Sequence, residues 1–96
     1  MSDRVSVSRR PISCGSAAYT GTASTAVVAP NNATAVFVWT TTDACVSLRP
    51  DATAATTANG IRLPAYTAVY LDCQPGDNLS AIRAASDGTL SYSWMT

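Results

Sequence analysis

The sequence predicts a small all-β domain, an antiparallel β-sandwich or barrel of about seven to eight strands with an extended N-terminal arm. Three observations point to it. Apolar residues recur with a period of two, as where Leu90, Tyr92 and Trp94 alternate with Ser91 and Ser93. Turn-forming residues interrupt these runs at the spacing of a sheet protein, roughly every eight to twelve residues. Helical periodicity is missing, since no window sets apolar residues at i, i+3, i+4 and i+7 among helix formers.

Residues 1–16 read as the arm and residues 17–96 as the sandwich domain. The first stretch is thin in large apolar side chains and is broken by Pro11 and Gly15, so it buries too little to order itself. From Thr34 onward the chain is a succession of short strands. Ala35-Val36-Phe37-Val38-Trp39-Thr40 is β-branched and aromatic on both faces, which predicts a central strand buried on both sides, with Trp39 and Trp94 in the core. After a turn at Thr41-Thr42-Asp43, Ala44, Val46 and Leu48 form one face of a strand that Pro50-Asp51 closes.

Asn59-Gly60 is a hairpin signal, and Ile61 and Leu63 beyond it point inward with Arg62 outward. Tyr66 to Cys73 reads as one strand. Val69, Leu71 and Cys73 share one face, while Tyr66, Tyr70 and Asp72 share the other. Gln74-Pro75-Gly76-Asp77 has the proline and glycine of a type II turn. Leu79 to Ala84 makes a further strand, and Asp87-Gly88 a hairpin turn before the last one.

The chemical inventory narrows the function. The chain has 96 residues, room for one core, and its six bases are all Arg and its six acids all Asp. Without His, Lys or Glu it lacks the commonest general base, the lysine nucleophile and the usual nitrogen ligand for zinc, so no enzyme is expected. Cys14, Cys45 and Cys73 form no C-x-x-C pair and are odd in number. Cys45 and Cys73 lie in apolar runs as buried thiols would; a disulfide between them requires neighbouring strands. Asp43, Asp51, Asp77 and Asp87 fall at turns, where a short carboxylate bonds nearby backbone, and neither a metal nor a cofactor is expected.

Partner contacts are the remaining role. Tyr66 and Tyr70 face outward beside Asp72, and paired outward aromatics mark a protein–protein contact or, alternatively, a platform for a sugar ring. The first thirty residues carry three Arg against one Asp, a net +2, and the rest three Arg against five Asp, a net −2. Arg4, Arg9 and Arg10 are too few to track nucleic-acid phosphates, but their planar guanidinium groups suit carboxylates on a neighbouring protein, a sister subunit among them. No apolar run at the N-terminus fits a secretory signal, and none fits a membrane span, so assembly in a reducing cytoplasm without membrane contact is expected.

The stretch Val36-Phe37-Val38-Trp39, Val46-Ser47-Leu48, Asn59-Gly60-Ile61-Arg62-Leu63-Pro64-Ala65, Val69-Tyr70-Leu71, Leu79-Ser80-Ala81-Ile82-Arg83-Ala84 and Asp87-Gly88-Thr89-Leu90-Ser91-Tyr92 resembles small structural proteins of tailed-bacteriophage virions. The resemblance covers residues 34–96 and rests on strand rhythm. It implies a compact β-sandwich acting as a decoration, or cement, protein on the capsid exterior. The implied partners are the major capsid protein and further copies of the chain in a homotrimer or dimer. The contacting residues would be Arg4, Val5, Val7, Arg9, Arg10 and Ile12 of the arm together with Tyr66 and Tyr70. An arm of 16 residues reaches roughly 50 Å when extended, enough to cross a subunit boundary. The alternatives are a tail, head–tail connector or head-fibre component, and a carbohydrate-binding or adhesion module.

Overall fold

A computed structural model of the chain describes residues 10–96. Eight strands follow one another: β1 (Pro11–Tyr19), β2 (Val27–Val28), β3 (Ala35–Thr40), β4 (Ala44–Arg49), β5 (Ile61–Leu63), β6 (Val69–Asp72), β7 (Asn78–Arg83) and β8 (Gly88–Met95). They form two four-stranded sheets, ordered β1-β8-β3-β6 and β2-β7-β4-β5, and every pairing is antiparallel. The architecture is a small all-β sandwich, as the alternation requires.

The two inner faces make one core. Val36, Val38, Leu90, Trp94 and Tyr19 from the first sheet meet Ala44, Val46, Leu63, Leu79 and Ala81 from the second, all of them buried. The alanines leave room for Trp94 and Tyr19, which supply most of the side-chain bulk. Chain connectivity departs from a string of hairpins. Only the β4–β5 link stays within one sheet; the others cross between sheets. Asp87-Gly88 is therefore an inter-sheet corner and not the hairpin its sequence suggests, whereas Gln74-Pro75-Gly76-Asp77 is the expected turn, with Gly76 at φ 91 and Asp77 N–H donating to the Gln74 carbonyl at 3.1 Å.

Several corners are locked together at one end of the sandwich. The buried Tyr19 hydroxyl donates to the Thr42 carbonyl at 2.9 Å, lies 2.7 Å from Thr42 Oγ1 and accepts the Thr42 N–H at 3.3 Å. Thr42 Oγ1 donates to the Ser86 carbonyl, Thr41 Oγ1 accepts the Thr89 N–H, and Asp43 accepts the Ala65 N–H. The links β3–β4, β5–β6 and β7–β8 are thus tied to one another and to the end of β1.

The described arm residues behave differently from the expectation. Pro11–Ser16 belong to β1, which pairs along β8 from Pro11↔Met95 to Tyr19↔Gly88 with a register shift between Pro11 and Ser13. Their side chains are exposed, so it is the backbone ladder, not burial, that fixes them. Arg10 and Ile12 sit at the start of this edge strand, while Arg4, Val5, Val7 and Arg9 lie outside the described residues.

The 50–60 segment replaces the two-residue hairpin expected at Asn59-Gly60. It folds back over the outer face of the second sheet, where the Ala55 N–H donates to Ser80 Oγ at 3.0 Å and Cys45 is buried beneath it. Asn59 is a clip: its amide donates to the Ala54 carbonyl at 3.0 Å and accepts the Thr56 N–H at 2.8 Å. Gly60 follows because a Cβ there would press on the Val46 carbonyl in mid-strand, a backbone atom that cannot yield without breaking the ladder. Gly60→Ala is expected to destabilise the fold by about 1–3 kcal/mol, measured as a lower urea midpoint with an unchanged m-value.

The cysteines are all free. Cys45 belongs to one sheet and Cys73 follows β6 of the other, so the neighbouring strands a disulfide requires are not there. Burial, with Asp77 and Asp72 adding to it, raises the Cys73 thiol above its ordinary 9.0. A raised folded value means that its contribution to stability is present below pH 9 and is lost as pH rises further. Cys14 is exposed. Titration with a thiol reagent at neutral pH is expected to count one fast-reacting group in the native protein and three after denaturation; three fast groups in native buffer would contradict this burial.

Candidate functional site: the open sheet face

The two outer faces of the sandwich are unequal. The 50–60 segment covers much of one, and the outer face of β1-β8-β3-β6 carries an exposed aromatic cluster instead. Alternation along β3 sends Val36, Val38 and Thr40 inward and Phe37 and Trp39 outward. This corrects the expectation of a strand buried on both sides and of Trp39 in the core: among the described residues no second layer lies over this face, and both rings are only half-buried. Trp94 is in the core as expected.

Each outward ring on β3 has a tyrosine on it. Tyr70 lies opposite Phe37 in the β3–β6 ladder, with ring centroids 4.8 Å apart and planes tilted by 54°. Tyr66 stacks on Trp39 at 5.7 Å and 29°. Tyr66 is not part of the strand as read from sequence. It is the third residue of a turn in which the Thr67 N–H donates to the Pro64 carbonyl at 3.2 Å, and its own N–H donates to the Thr40 carbonyl at 2.7 Å. Its φ is +57°, the left-handed region where glycine is the ordinary choice. Such a position costs a bulky residue on the order of 1–2 kcal/mol. Stacking on Trp39 offsets part of that at about 0.5–1.5 kcal/mol. The ring nevertheless remains 70% exposed and that of Tyr70 54% exposed.

Beside the four rings the face is small and hydroxylated. Ser93 pairs with Phe37 and Ser91 with Trp39, and Cys14 and Ser16 of β1 continue the same rows. Small side chains there allow a partner's backbone to approach closely, while the aromatic half supplies apolar area. Among the described strand residues, register puts one charge on this face, Asp72 at its corner.

The structure brings Tyr66 and Tyr70 into one cluster and adds Phe37 and Trp39, which sequence reasoning assigned to a buried face. The signal for them was the i, i+2 spacing of two aromatics with only Val38 between. Arg10 and Ile12 are not part of the cluster; Ile12 lies on β1 and Arg10 just before it, at the opposite edge of the sheet from β6. The turn aspartates act on backbone or a neighbouring side chain. Asp77 accepts the Gln74 N–H at 2.9 Å, Asp51 accepts the Thr53 N–H at 3.0 Å, and Asp87 pairs with Arg83 at 2.6 Å. Hydrogen bonds from the Thr53 hydroxyl and amide, with Arg49 nearby, hold the Asp51 carboxyl below its ordinary 3.8. Its contribution to stability is thus present above that value and lost as pH falls. Among the described residues no three of His, Cys, Asp or Glu gather as metal ligands, and no helix is long and apolar enough to cross a membrane.

No protein-family model matches this chain, and neither a curated protein nor a solved structure matches it. Its class is accordingly defined by its own geometry, an all-β sandwich with one face covered by its own loop and the other bearing an exposed aromatic cluster.

Proposed function

We propose that this protein is a non-enzymatic decoration (cement) protein of a tailed-phage capsid, and that it grips neighbouring capsid subunits through the open face of the β1-β8-β3-β6 sheet. Tyr66 carries the reading: a bulky aromatic kept at a left-handed backbone position, with most of its ring in solvent, is costly for the isolated domain and useful for an interface. Tyr and Trp are the residues that dominate binding energy where a rigid surface meets a partner. The surrounding strands supply the rigidity, and the inventory without His, Lys or Glu supports a mechanical role. The major capsid protein is the proposed partner, with self-association in a homotrimer or dimer and a location on the virion exterior.

The test is co-sedimentation with expanded capsid shells assembled from the major capsid protein of the phage whose genome encodes this chain. Wild-type protein is expected to pellet with shells and raise their resistance to heating, and Tyr66→Ala and Tyr70→Ala to stay in the supernatant while still folded. Failure of folded wild-type protein to bind shells would sink the proposal. Copy number that follows a tail or connector component would move it to that part of the virion. A carbohydrate-binding module is favoured by one observation, the solvent-facing side of the Tyr66 ring, and glycan binding abolished by Tyr66→Ala would establish it instead.

A further inference from the structure

The 50–60 segment lies over the outer face of β2-β7-β4-β5 with little apolar burial to hold it, since Ala55 is the one residue in it that is buried. Its seating therefore depends on hydrogen bonds. The Ala55 N–H donates to Ser80 Oγ at 3.0 Å, Asn78 Nδ2 donates to the Asp51 carbonyl at 2.9 Å, and Asn59 closes the far end through Ala54 and Thr56. Cys45 is 4% exposed beneath this cover, with its Sγ 3.9 Å from the Thr57 carbonyl. Asn59 is thus the latch of a cover that little else holds shut.

The same latch carries a labile amide. Asparagine is among the thermolabile residues, and of the chain's four asparagines Asn59 alone precedes a glycine. Glycine has no side chain to shield its backbone nitrogen, so the Gly60 nitrogen can attack Asn59 Cγ. The new N–C bond closes a cyclic imide, the Gly60 amide proton passes to solvent, and Nδ2 departs as ammonia with a proton taken from water. Water then opens the imide at either carbonyl and leaves an aspartyl or an isoaspartyl residue, so that the net change is water in and ammonia out. The Thr56 N–H, 2.8 Å from Asn59 Oδ1, is aimed at the oxygen on which negative charge develops during the attack. Asn59 is half-buried and Gly60 exposed, so water reaches the pair.

Both products undo the latch. A carboxylate oxygen in the place of Nδ2 cannot donate to the Ala54 carbonyl, 3.0 Å away, and repels it. The isoaspartyl form adds a methylene to the main chain just before Gly60, where the close approach to the Val46 carbonyl leaves no slack. The architecture also keeps the reactive pair in place. Gly60 cannot gain a Cβ against that carbonyl, and position 59 needs one amide that both donates and accepts.

We infer that Asn59 is a site of spontaneous, one-way deamidation, and that its conversion unlatches the 50–60 segment and bares Cys45. The inference does not depend on the capsid reading. To test it, the full chain is aged in mildly alkaline buffer made with heavy-oxygen water, and peptide mass spectrometry locates the label while a thiol reagent counts fast-reacting cysteines. Label is expected at Asn59 and not at Asn31, Asn32 or Asn78, with Cys45 joining Cys14 as a fast thiol in step with conversion and Cys73 still protected. Asn59→Asp, the aspartyl product made directly, is expected to react at Cys45 about tenfold or more faster than wild type from the start. Asn59→Gln, whose longer side chain closes the ring poorly, is expected to take up no label at that position and to show a Cys45 rate that does not change with ageing. If Asn59→Asp unfolds, which a fast Cys73 would reveal, the aged wild type decides the matter by itself. Label absent from Asn59, or spread equally over the four asparagines, would overturn the site. Full conversion at Asn59 with Cys45 as slow as before would overturn the latch.

Discussion

Gly88→Ala is expected to lower the stability of the domain by about 2–4 kcal/mol, combining overpacking with loss of hydrogen bonds. Gly88 begins β8 opposite Tyr19, and a Cβ there would meet Thr42 Oγ1, the Tyr19 hydroxyl at 2.6 Å and Thr41 Oγ1 at 2.8 Å. None can retreat cheaply. The Tyr19 ring is 1% exposed and packed in the core, and both threonine hydroxyls hold backbone groups of the β7–β8 segment. The substitution therefore breaks the corner that ties three inter-sheet links together, and the melting temperature should fall by roughly 10–25 °C at this chain length. Tyr19→Phe removes the hydroxyl without adding volume and leaves the Thr42 N–H without its Tyr19 acceptor, for an expected loss of about 1–2 kcal/mol. The double variant should lose less than the sum, because both changes disable the same hydrogen bonds. Thermal and urea unfolding of the four proteins measures this; full additivity would show that Gly88 and Tyr19 act separately.

That corner also marks where sequence reading stops. The strands from Ala35 to Trp94 are legible because alternation and turn residues act locally, within a few positions. Their assignment to sheets is not local. Asp87-Gly88 looks the same whether the chain turns back within a sheet or crosses to the other, and the choice is made by Tyr19, whose hydroxyl bonds Thr42 from 23 positions away. The outer part of β1 was hidden for a different reason: Pro11–Ser16 bury little, so hydropathy carries no trace of a strand held by its ladder to β8. Tyr66 and Tyr70 were legible as outward residues. Phe37 and Trp39 were not, since an apolar residue on a strand announces contact with something without saying whether the contact is the protein's own core or a partner.

Tyr66→Gly is expected to separate binding from folding. In the folded chain two effects of the substitution oppose each other. Glycine relieves a left-handed backbone position worth on the order of 1–2 kcal/mol, while the stacking on Trp39, about 0.5–1.5 kcal/mol, is lost. Glycine's greater freedom in the unfolded chain works against the gain by about 0.4–1 kcal/mol. Net stability should therefore stay within about 1 kcal/mol of wild type. Binding has no such compensation. A ring 70% exposed on a rigid face is the kind of anchor whose truncation costs about 2 kcal/mol or more, a loss of about 30-fold in affinity for capsid shells. Isothermal titration or co-sedimentation gives the affinity, and a melting curve on the same sample gives the stability. If Tyr66→Gly binds as tightly as wild type, the left-handed tyrosine serves the turn alone and the open face loses its anchor. If instead it unfolds the domain, Tyr66 belongs to the architecture and not to the interface.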